Sequence, residues 1–387
     1  MRVFLVGVSL VLILLVVAVM GFSRLVETKE MRLVWKSSTG GIVISSPTML
    51  DSVLYVGSSD YNLYALNASN GEKLWEFKTM AYIVSSPTVS NDIVYVGSMD
   101  SVLYAVNATD GKEIWTFSAP ADGIESSPLV YGGLVYFGGR ESNVYALNAS
   151  TGSLKWRYTT DRYVTGSPSI YDGIVYIGSC ANTSYGHMQA LNATNGQLLW
   201  KFDTGGETST IHPQVYAGIV YFGCWDNNTY AAGALTGEKI WSYATGDHVT
   251  GSPRVYDDVV YFGSCDSCVY ALNATSGSEI WLFGTGDRVQ STPFVSNGTV
   301  YIGSDDSNIY ALDSATGRQE GNFTTGGSVV SSPLVEDDVV YVGSDDGFVY
   351  ALAVSTASVR DYGPLLPISV FIAFLLAVVG LWVLTKR

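Results

Sequence analysis

Short apolar runs of alternating character recur along the middle of the chain, each closed by a glycine or a turn residue. Ile93–Gly97 and Val102–Asn107 alternate β-branched or aromatic side chains with others over five or six residues. A period of two predicts strands rather than helices. Turn-forming residues stand between the runs, at 90–92 and 98–100. The pattern predicts short strands joined by tight turns.

Three markers show that one unit is repeated eight times. A Tyr-x-Gly triplet, a proline and a tryptophan each recur at intervals of 40 to 45 residues. The predicted strands of the second unit are 85–89, 93–97, 102–107 and 113–117, and four strands in this length are typical of a β-propeller blade. The glycines stand at 57, 97, 138, 178, 223, 263, 303 and 343, and the prolines at 47, 87, 128, 168, 213, 253, 293 and 333.

The two ends of the repeat are offset. The last unit ends after its third strand, 348–352, while a spare fourth strand, 32–36, precedes the first unit. If the N-terminal strand completes the last blade, the ring closes and leaves no open sheet edge. We therefore predict an all-β fold: an eight-bladed β-propeller of four-stranded antiparallel blades over residues 32–353.

The segment from the third to the fourth strand resembles the Ala-x-Asp-x-x-x-Gly-x-x-x-Trp docking motif of the pyrroloquinoline-quinone (PQQ)-type propellers. That family includes quinoprotein dehydrogenases, the outer-membrane assembly lipoprotein and PQQ-like proteins of archaeal cell surfaces. The motif occurs at 65–75, 105–115, 146–156, 190–200 and 271–281, and in degraded form at 231–241 and 311–321. The resemblance implies that each tryptophan packs against the neighbouring blade. These residues are Trp35, Trp75, Trp115, Trp156, Trp200, Trp241 and Trp281, with Gly321 in the eighth place.

Uncharged apolar segments flank the repeats. Residues 3–20 follow Arg2, and we expect residues 1–22 to be a signal peptide or an N-terminal membrane anchor. Residues 365–384 are long enough to cross the ~30 Å hydrocarbon core as a helix, so we expect a transmembrane helix over 365–385.

The charges beyond these segments predict how the chain is oriented. Basic residues, Arg2 at one end and Lys386 and Arg387 at the other, indicate that both ends face the cytoplasm. The propeller would then lie outside the cell, joined to the apolar segments by linkers at 23–31 and 354–364. A cell-membrane location with a single C-terminal span is the prediction.

Asparagine replaces the aspartate of the docking motif in five units, and each time Ala and then Ser or Thr follow. Asn-x-Ser/Thr is the acceptor sequence for N-glycosylation, which we expect at several of these sites. The alternative is that Asn makes the same turn hydrogen bonds as Asp. The five are Asn67, Asn107, Asn148, Asn192 and Asn273, and further acceptor sequences begin at Asn182, Asn227, Asn297 and Asn322.

An even number of cysteines in an exported chain suggests disulfides. All four follow second-strand glycines, and we predict the pairs Cys180–Cys224 and Cys265–Cys268. The alternative is a Cu²⁺ or Zn²⁺ site in which unpaired Cys180 and Cys224 join His187 and His212.

The resemblance raises an enzymatic alternative, a quinoprotein dehydrogenase with PQQ and Ca²⁺. Those enzymes hold the quinone against a disulfide of adjacent cysteines, whereas this chain has no Cys-Cys pair and no long inserted loops. Acidic residues recur after the second strands. They could form a ring of cation ligands or cap the tight turns, and we favour the turn caps. These residues are Asp60, Asp100, Glu141, Asp226, Asp266, Asp306 and Asp346. We expect no cofactor and no catalysis.

Departures from the repeat mark the candidate binding site. The 45-residue interval of units four and five contains extra residues before and after Asn192, and strand order places these on one face. Loops on a rigid scaffold are where binding residues collect. The net charge of −15 argues against nucleic acid. We therefore predict a membrane-anchored, glycosylated, extracellular binding or scaffold module whose partner is an envelope protein or a glycan. The candidate residues are Trp225, His212, His187, His248 and Arg162.

Overall fold

The computed structural model describes residues 24–361 except 121–122, 183–184 and 209–211. The chain divides into two compact units, residues 29–355 and residues 1–28 with 356–387. In the described part of the smaller unit, the Thr28 hydroxyl donates a hydrogen bond to the Ala357 carbonyl at 3.3 Å. The apolar segments 1–22 and 365–385 lie outside the described residues. Within the described residues no helix is long and apolar enough to span a membrane.

Eight four-stranded antiparallel sheets form the blades, as the sequence predicts. Blades 1 to 4 consist of β2 (Thr48–Leu50), β3 (Val53–Gly57), β4 (Asn62–Asn67), β5 (Lys73–Lys78); β6 (Thr88–Ser90), β7 (Ile93–Gly97), β8 (Val102–Asn107), β9 (Glu113–Ser118); β10 (Leu129–Tyr131), β11 (Leu134–Gly139), β12 (Asn143–Asn148), β13 (Leu154–Thr159); β14 (Ser169–Tyr171), β15 (Ile174–Asn182), β16 (Tyr185–Asn192) and β17 (Leu198–Thr204). Blades 5 to 8 consist of β18 (Gln214–Tyr216), β19 (Ile219–Gly223), β20 (Asn228–Gly233), β21 (Lys239–Ala244); β22 (Arg254–Tyr256), β23 (Val259–Ser264), β24 (Cys268–Asn273), β25 (Glu279–Gly284); β26 (Phe294–Ser296), β27 (Thr299–Gly303), β28 (Asn308–Asp313), β29 (Gln319–Thr324); and β30 (Leu334–Glu336), β31 (Val339–Gly343), β32 (Phe348–Asp361) with β1 (Arg24–Ser38).

The N-terminal strand closes the ring. β1 lies beside β32 in the order β1-β32-β31-β30, which confirms the predicted closure. Both strands are longer than predicted, so most of the expected linkers, 23–31 and 354–364, is strand. The first strand of blade 2, β6, is shorter than the predicted 85–89. In blade 2, Pro87 has no N–H to donate, and Ser86 donates its N–H to the Ser127 hydroxyl of blade 3 at 2.8 Å.

The core is divided between neighbouring blades, and the motif tryptophans join them. Trp115 is 9% exposed and donates its indole N–H to the Ala149 carbonyl of the next blade at 2.9 Å. Its ring covers Gly152, where φ is +69° and an added Cβ would lie 2.6 Å from the indole. The other six tryptophans make the same bond, to Ala68, Ala108, Ala193, Ala234, Ala274 and Ser314.

Gly321 replaces the tryptophan where the ring closes. Blade 8 takes its third and fourth strands from opposite ends of the chain, so it has no connecting turn on which a tryptophan could dock. β1 passes close to this position instead, because a Cβ on Gly321 would lie 2.0 Å from the Lys29 carbonyl oxygen. The missing eighth tryptophan is thus a consequence of closure.

Hydrogen bonds join neighbouring blades at the inner strands. In six blades the residue before the repeated proline donates its N–H to the hydroxyl of the equivalent residue in the next blade. Ser46 donates to Ser86, and Ser332 donates back to Ser46, each at 2.9 Å. The inner strands of adjacent blades, such as β14 with β18 and β18 with β22, contact one another. These positions therefore surround the central channel.

Candidate binding site on the top face

Antiparallel order gives the ring two different faces. The turns between second and third strands lie on the same face as the loops between blades, which we name the top face. The turns between third and fourth strands lie on the bottom face, with the acceptor residues Asn67, Asn107, Asn148, Asn192 and Asn273 at the ends of third strands or just after them.

The repeated aspartates of the top face act as structural staples. One oxygen of Asp306 accepts the Asn308 N–H at 2.9 Å, and the other accepts the Gly286 N–H at 2.7 Å and the Tyr310 hydroxyl at 2.6 Å. These bonds outweigh burial and lower the pKa of Asp306. The contacts support the turn-cap interpretation over a ring of cation ligands. Equivalent bonds are made by Asp60, Asp100, Asp226, Asp266 and Asp346.

Blades 3 and 4 depart from this staple. Both Glu141 carboxylate oxygens are buried without a hydrogen bond. In blade 4 the turn is lengthened into the hairpin of β15 and β16, and His187, 8% exposed, lies between two carboxylates. Its Nε2 is 3.1 Å from Asp161 and its Nδ1 is 2.8 Å from Asp203, the latter at ion-pair distance without hydrogen-bond geometry. His187 thus connects the hairpin to the loop before blade 4 and to β17.

Trp225 and His248 meet on the top face of blades 5 and 6. Their rings stack with centroids 5.3 Å apart and planes 17° apart, and Trp225 is 37% exposed. His248 Nδ1 lies 3.0 Å from the Asn227 side-chain oxygen. The Trp225 N–H donates to the Glu207 carbonyl at 3.0 Å, which connects this pair to the preceding loop.

Glu207 extends the contacts towards blade 4. Its carboxylate accepts the Tyr163 hydroxyl at 3.0 Å and the Cys180 thiol at 3.3 Å. Burial, with Cys180 and Glu207 nearby, raises the pKa of Tyr163 to about 12. The Arg162 guanidinium lies 5.3 Å from the Tyr163 ring centroid. We name these residues the top-face cluster. It consists of Arg162, Tyr163, Cys180, Glu207, Trp225 and His248.

His212 lies at the inner edge of the ring. It occupies the position before Pro213, where its N–H donates to the Ser252 hydroxyl at 2.9 Å. Desolvation among the inner strands, with the positive charge of Arg254, lowers its pKa to about 4. His212 thus precedes the inner strand β18, whereas Trp225 lies in the turn between β19 and β20.

The proposed metal ligands are not brought together. His187 contacts carboxylates, His212 lies at the channel, and burial raises the pKa of the Cys224 thiol to about 12. Across residues 24–361, apart from the gaps named above, no group of three or more His, Cys, Asp or Glu side chains could hold a metal ion.

The four cysteines are thiols, so neither predicted disulfide is present in the structure. The directions of the side chains explain this. Cys265 contacts the Thr250 hydroxyl at 3.4 Å, whereas Cys268 donates to the Asp266 carbonyl at 3.7 Å. Cys180 contacts Glu207, and Cys224 accepts the Asp226 N–H at 3.5 Å. Mass mapping under non-reducing conditions tests whether either bridge forms in the cell.

A family model described as outer membrane protein assembly factor BamB matches residues 24–179, 100–267 and 265–360. The chain belongs to this PQQ-like propeller family. No curated protein sequence matches it. Among solved structures, BamB from Moraxella catarrhalis shares 17% identity over 84% of this chain and all of that chain, with a TM-score of 0.70. The quinohemoprotein alcohol dehydrogenase from Comamonas testosteroni shares 15% identity over 87% of this chain and 78% of that one, with a TM-score of 0.71. These likenesses show the fold.

The residues of this PQQ-like propeller do not fit a quinone with Ca²⁺. Calcium takes six to eight oxygen ligands, but six of the seven repeated acidic residues already accept hydrogen bonds from turns and tyrosines. The cysteines nearest in sequence, Cys265 and Cys268, are separated by two residues.

The five bottom-face asparagines of this PQQ-like propeller make turn hydrogen bonds. The Asn273 side-chain oxygen accepts the N–H groups of Thr275 and Ser276 at 3.1 and 2.9 Å. Asp313, at the same place in blade 7, accepts the Thr316 N–H at 2.8 Å. Asn and Asp are thus interchangeable in this turn, and glycosylation stays a prediction. The side chain of Asn182 is outside the described residues, Asn227 contacts His248, Asn297 has a φ of +49°, and Asn322 donates to Asn308.

Proposed function

We propose that this PQQ-like propeller is a non-enzymatic binding or scaffold module at the outer side of the cell membrane, and that it binds an envelope protein or glycan through the top-face cluster. The observation that carries the proposal is the stacked Trp225–His248 pair. An aromatic side chain left exposed among polar neighbours is the residue type that dominates recognition surfaces.

The chemistry of the cluster suits a partner that is partly polar. Trp225 offers a rigid apolar face that loses little conformational freedom on binding. Arg162, exposed beside Tyr163, adds a cation, and His248 adds a ring nitrogen. A family named for an outer membrane protein assembly factor is consistent with a protein partner.

The proposed orientation turns the top face away from the membrane. Both ends of the larger unit, near Lys29 and Ser355, belong to strands that reach the bottom face. The turns after Asn67 and its equivalents lie on the same face. With the apolar residues 365–384 as a membrane anchor, the bottom face is nearer the bilayer. Protease access to the turn at 67–71 and to the turn at 225–228 in intact cells tests this orientation; easier cleavage at 67–71 would contradict it.

The test of binding compares two exposed rings at the same place in different blades. His248 in the loop before blade 6 and Tyr82 in the loop before blade 2 occupy equivalent positions, and Tyr82 is 43% exposed. The test variant carries Trp225→Ser with His248→Ala, where serine is the residue of blade 1 at position 59. The matched control carries Tyr82→Ala.

The measurement is quantitative capture of envelope proteins and glycans by the full chain in detergent. We expect the double variant to capture at least tenfold less of the specific partner than the unaltered chain, and the Tyr82→Ala variant to capture the same amount. Thermal unfolding should be unchanged for both variants. Equal capture by the two variants would place the site elsewhere. A quinone absorbance band in the purified chain, together with dye-linked alcohol oxidation, would instead favour the enzymatic alternative.

A further inference from the structure

The inner ring holds an arginine and a histidine at positions where the other blades carry neutral, non-titrating side chains. The residue after the repeated proline starts each inner strand, and Arg254 is the one charged residue among the eight. The set is Thr48, Thr88, Leu129, Ser169, Gln214, Arg254, Phe294 and Leu334. The residue before the proline is Ser or Thr in seven blades and His212 in blade 5. Repeat packing alone accounts for neither departure.

The two departures are neighbours across one blade boundary. His212 of blade 5 donates its N–H to Ser252 of blade 6, two residues before Arg254. The positive charge of Arg254 also contributes to the lowered pKa of His212. Both side chains are exposed, and both begin or precede strands that surround the axis. Both side chains are therefore open to small solutes in the channel.

Arg254 has an aromatic neighbour and, among the described residues, no ion-pair partner. Its guanidinium lies 5.6 Å from the Phe294 ring centroid in blade 7. It takes part in none of the ion pairs among the described residues. In a chain with a net charge of −15, an arginine without a carboxylate partner leaves a local positive potential. A guanidinium beside an aromatic ring keeps N–H groups for an anion.

We propose that Arg254 and His212 form a binding site for a small carboxylate in the central channel. The guanidinium forms two parallel hydrogen bonds to one carboxylate group, a geometry that favours carboxylates over monodentate anions. His212 contributes a ring N–H on one side, and Gln214, the residue of blade 5 next to Arg254 on the inner ring, contributes an amide. The site is separate from the top-face cluster and does not depend on the function proposed for it.

The test uses succinate as the probe and inorganic phosphate as the comparison anion, with the full chain in detergent. Isothermal titration calorimetry gives the affinity, and the rise of the thermal midpoint with succinate gives a second readout. The variants are Arg254→Thr and His212→Ser, which install residues that other blades carry at these positions and so keep the fold. Arg288→Thr, an exposed arginine of a top-face loop, is the matched control.

We expect succinate binding by the unaltered chain, at least tenfold weaker binding by Arg254→Thr, a smaller loss for His212→Ser and no change for Arg288→Thr. The succinate-dependent thermal shift should disappear with Arg254→Thr. Undiminished succinate affinity in Arg254→Thr, or an equal loss in Arg288→Thr, would overturn the site. Binding of phosphate without succinate would overturn the assignment to carboxylates.

Discussion

Two neighbouring sequence positions in the top-face turns differ in how much they vary among the blades. The staple aspartate is the same in six blades and binds the same tyrosine and loop N–H each time. The residue just before it takes five different identities in these six blades: Ser59, Met99, Trp225, Cys265, Asp305 and Asp345 stand at that position. The staple position keeps its aspartate where it holds the backbone, whereas its neighbour is free to serve recognition. Framework and recognition surface are therefore one residue apart.

The largest expected effect separates a framework tryptophan from the exposed one. Trp115→Ala removes a buried ring and the hydrogen bond to Ala149, so it should lower the free energy of unfolding by about 4 kcal/mol. Trp225→Ala should change it by less than about 1 kcal/mol, since the side chain is 37% exposed. Denaturant unfolding of both variants measures this, and similar losses would contradict the division into framework and surface.

A staple aspartate should contribute less to the free energy of unfolding than a docking tryptophan. Asp306→Ala leaves the Tyr310 hydroxyl and the Gly286 N–H without their acceptor and should cost about 2 kcal/mol. The pKa of Asp306 is lowered from 3.8, so its contribution is present above that pH and is lost as the pH falls through the lowered value. Acid unfolding of Asp306→Asn should consequently be flatter below about pH 4 than that of the unaltered chain. Superimposable acid-unfolding curves of the variant and the unaltered chain would show that Asp306 does not act as a staple.

Substitution at the position before a staple should change the free energy of unfolding in the opposite direction. One carboxylate oxygen of Asp345 is buried without a hydrogen bond, and burial, with the charges of Asp305 and Asp346, raises its pKa. Its ionised form is thus unfavourable in the fold, so Asp345→Ser should raise the free energy of unfolding at pH 7 by about 1 kcal/mol. That gain should shrink as the pH falls from the raised pKa to 3.8, where both states are protonated. A loss of stability at pH 7 would show that the carboxylate has a favourable partner.

The smallest structural effect is expected on the bottom face. Asn273→Asp removes a glycosylation acceptor but keeps the turn, as Asp313 does in blade 7, so stability should change by less than about 0.5 kcal/mol. Mass spectrometry of the chain from its own cells should show the loss of one glycan. The same mass apart from the substitution would mean that this site is not modified.

The sequence predicts the framework well because the framework is periodic. Eight blades, the closing strand and the docking tryptophans all follow from repeated residues, and the spacing of Asp306 to Tyr310, repeated in six blades, signals the staple as well. The extension of β1 and β32 was missed because neither segment belongs to the repeat. Gly321 is explained only by the approach of Lys29, a contact between residues far apart in sequence.

The candidate site was predicted in part. Strand order gives the face on which a residue lies but not its distance from the axis. Trp225 and His248 lie in neighbouring outer loops and meet, whereas His212 precedes an inner strand and faces the channel. Tyr163 and Glu207 were not singled out, because their partnership depends on the lengthened hairpin of blade 4. Glu207 is also part of the short insertion after Trp200, which was the available signal.

Site-specific photo-crosslinking tests the central claim most directly. Asp247 and Ala81 occupy the same loop position before blades 6 and 2, so a photoreactive residue placed at either leaves Trp225 intact. In intact cells we expect the probe at 247 to crosslink one envelope partner and the probe at 81 to yield none. A partner crosslinked equally from 81, or from 81 alone, would contradict a recognition surface at the top-face cluster.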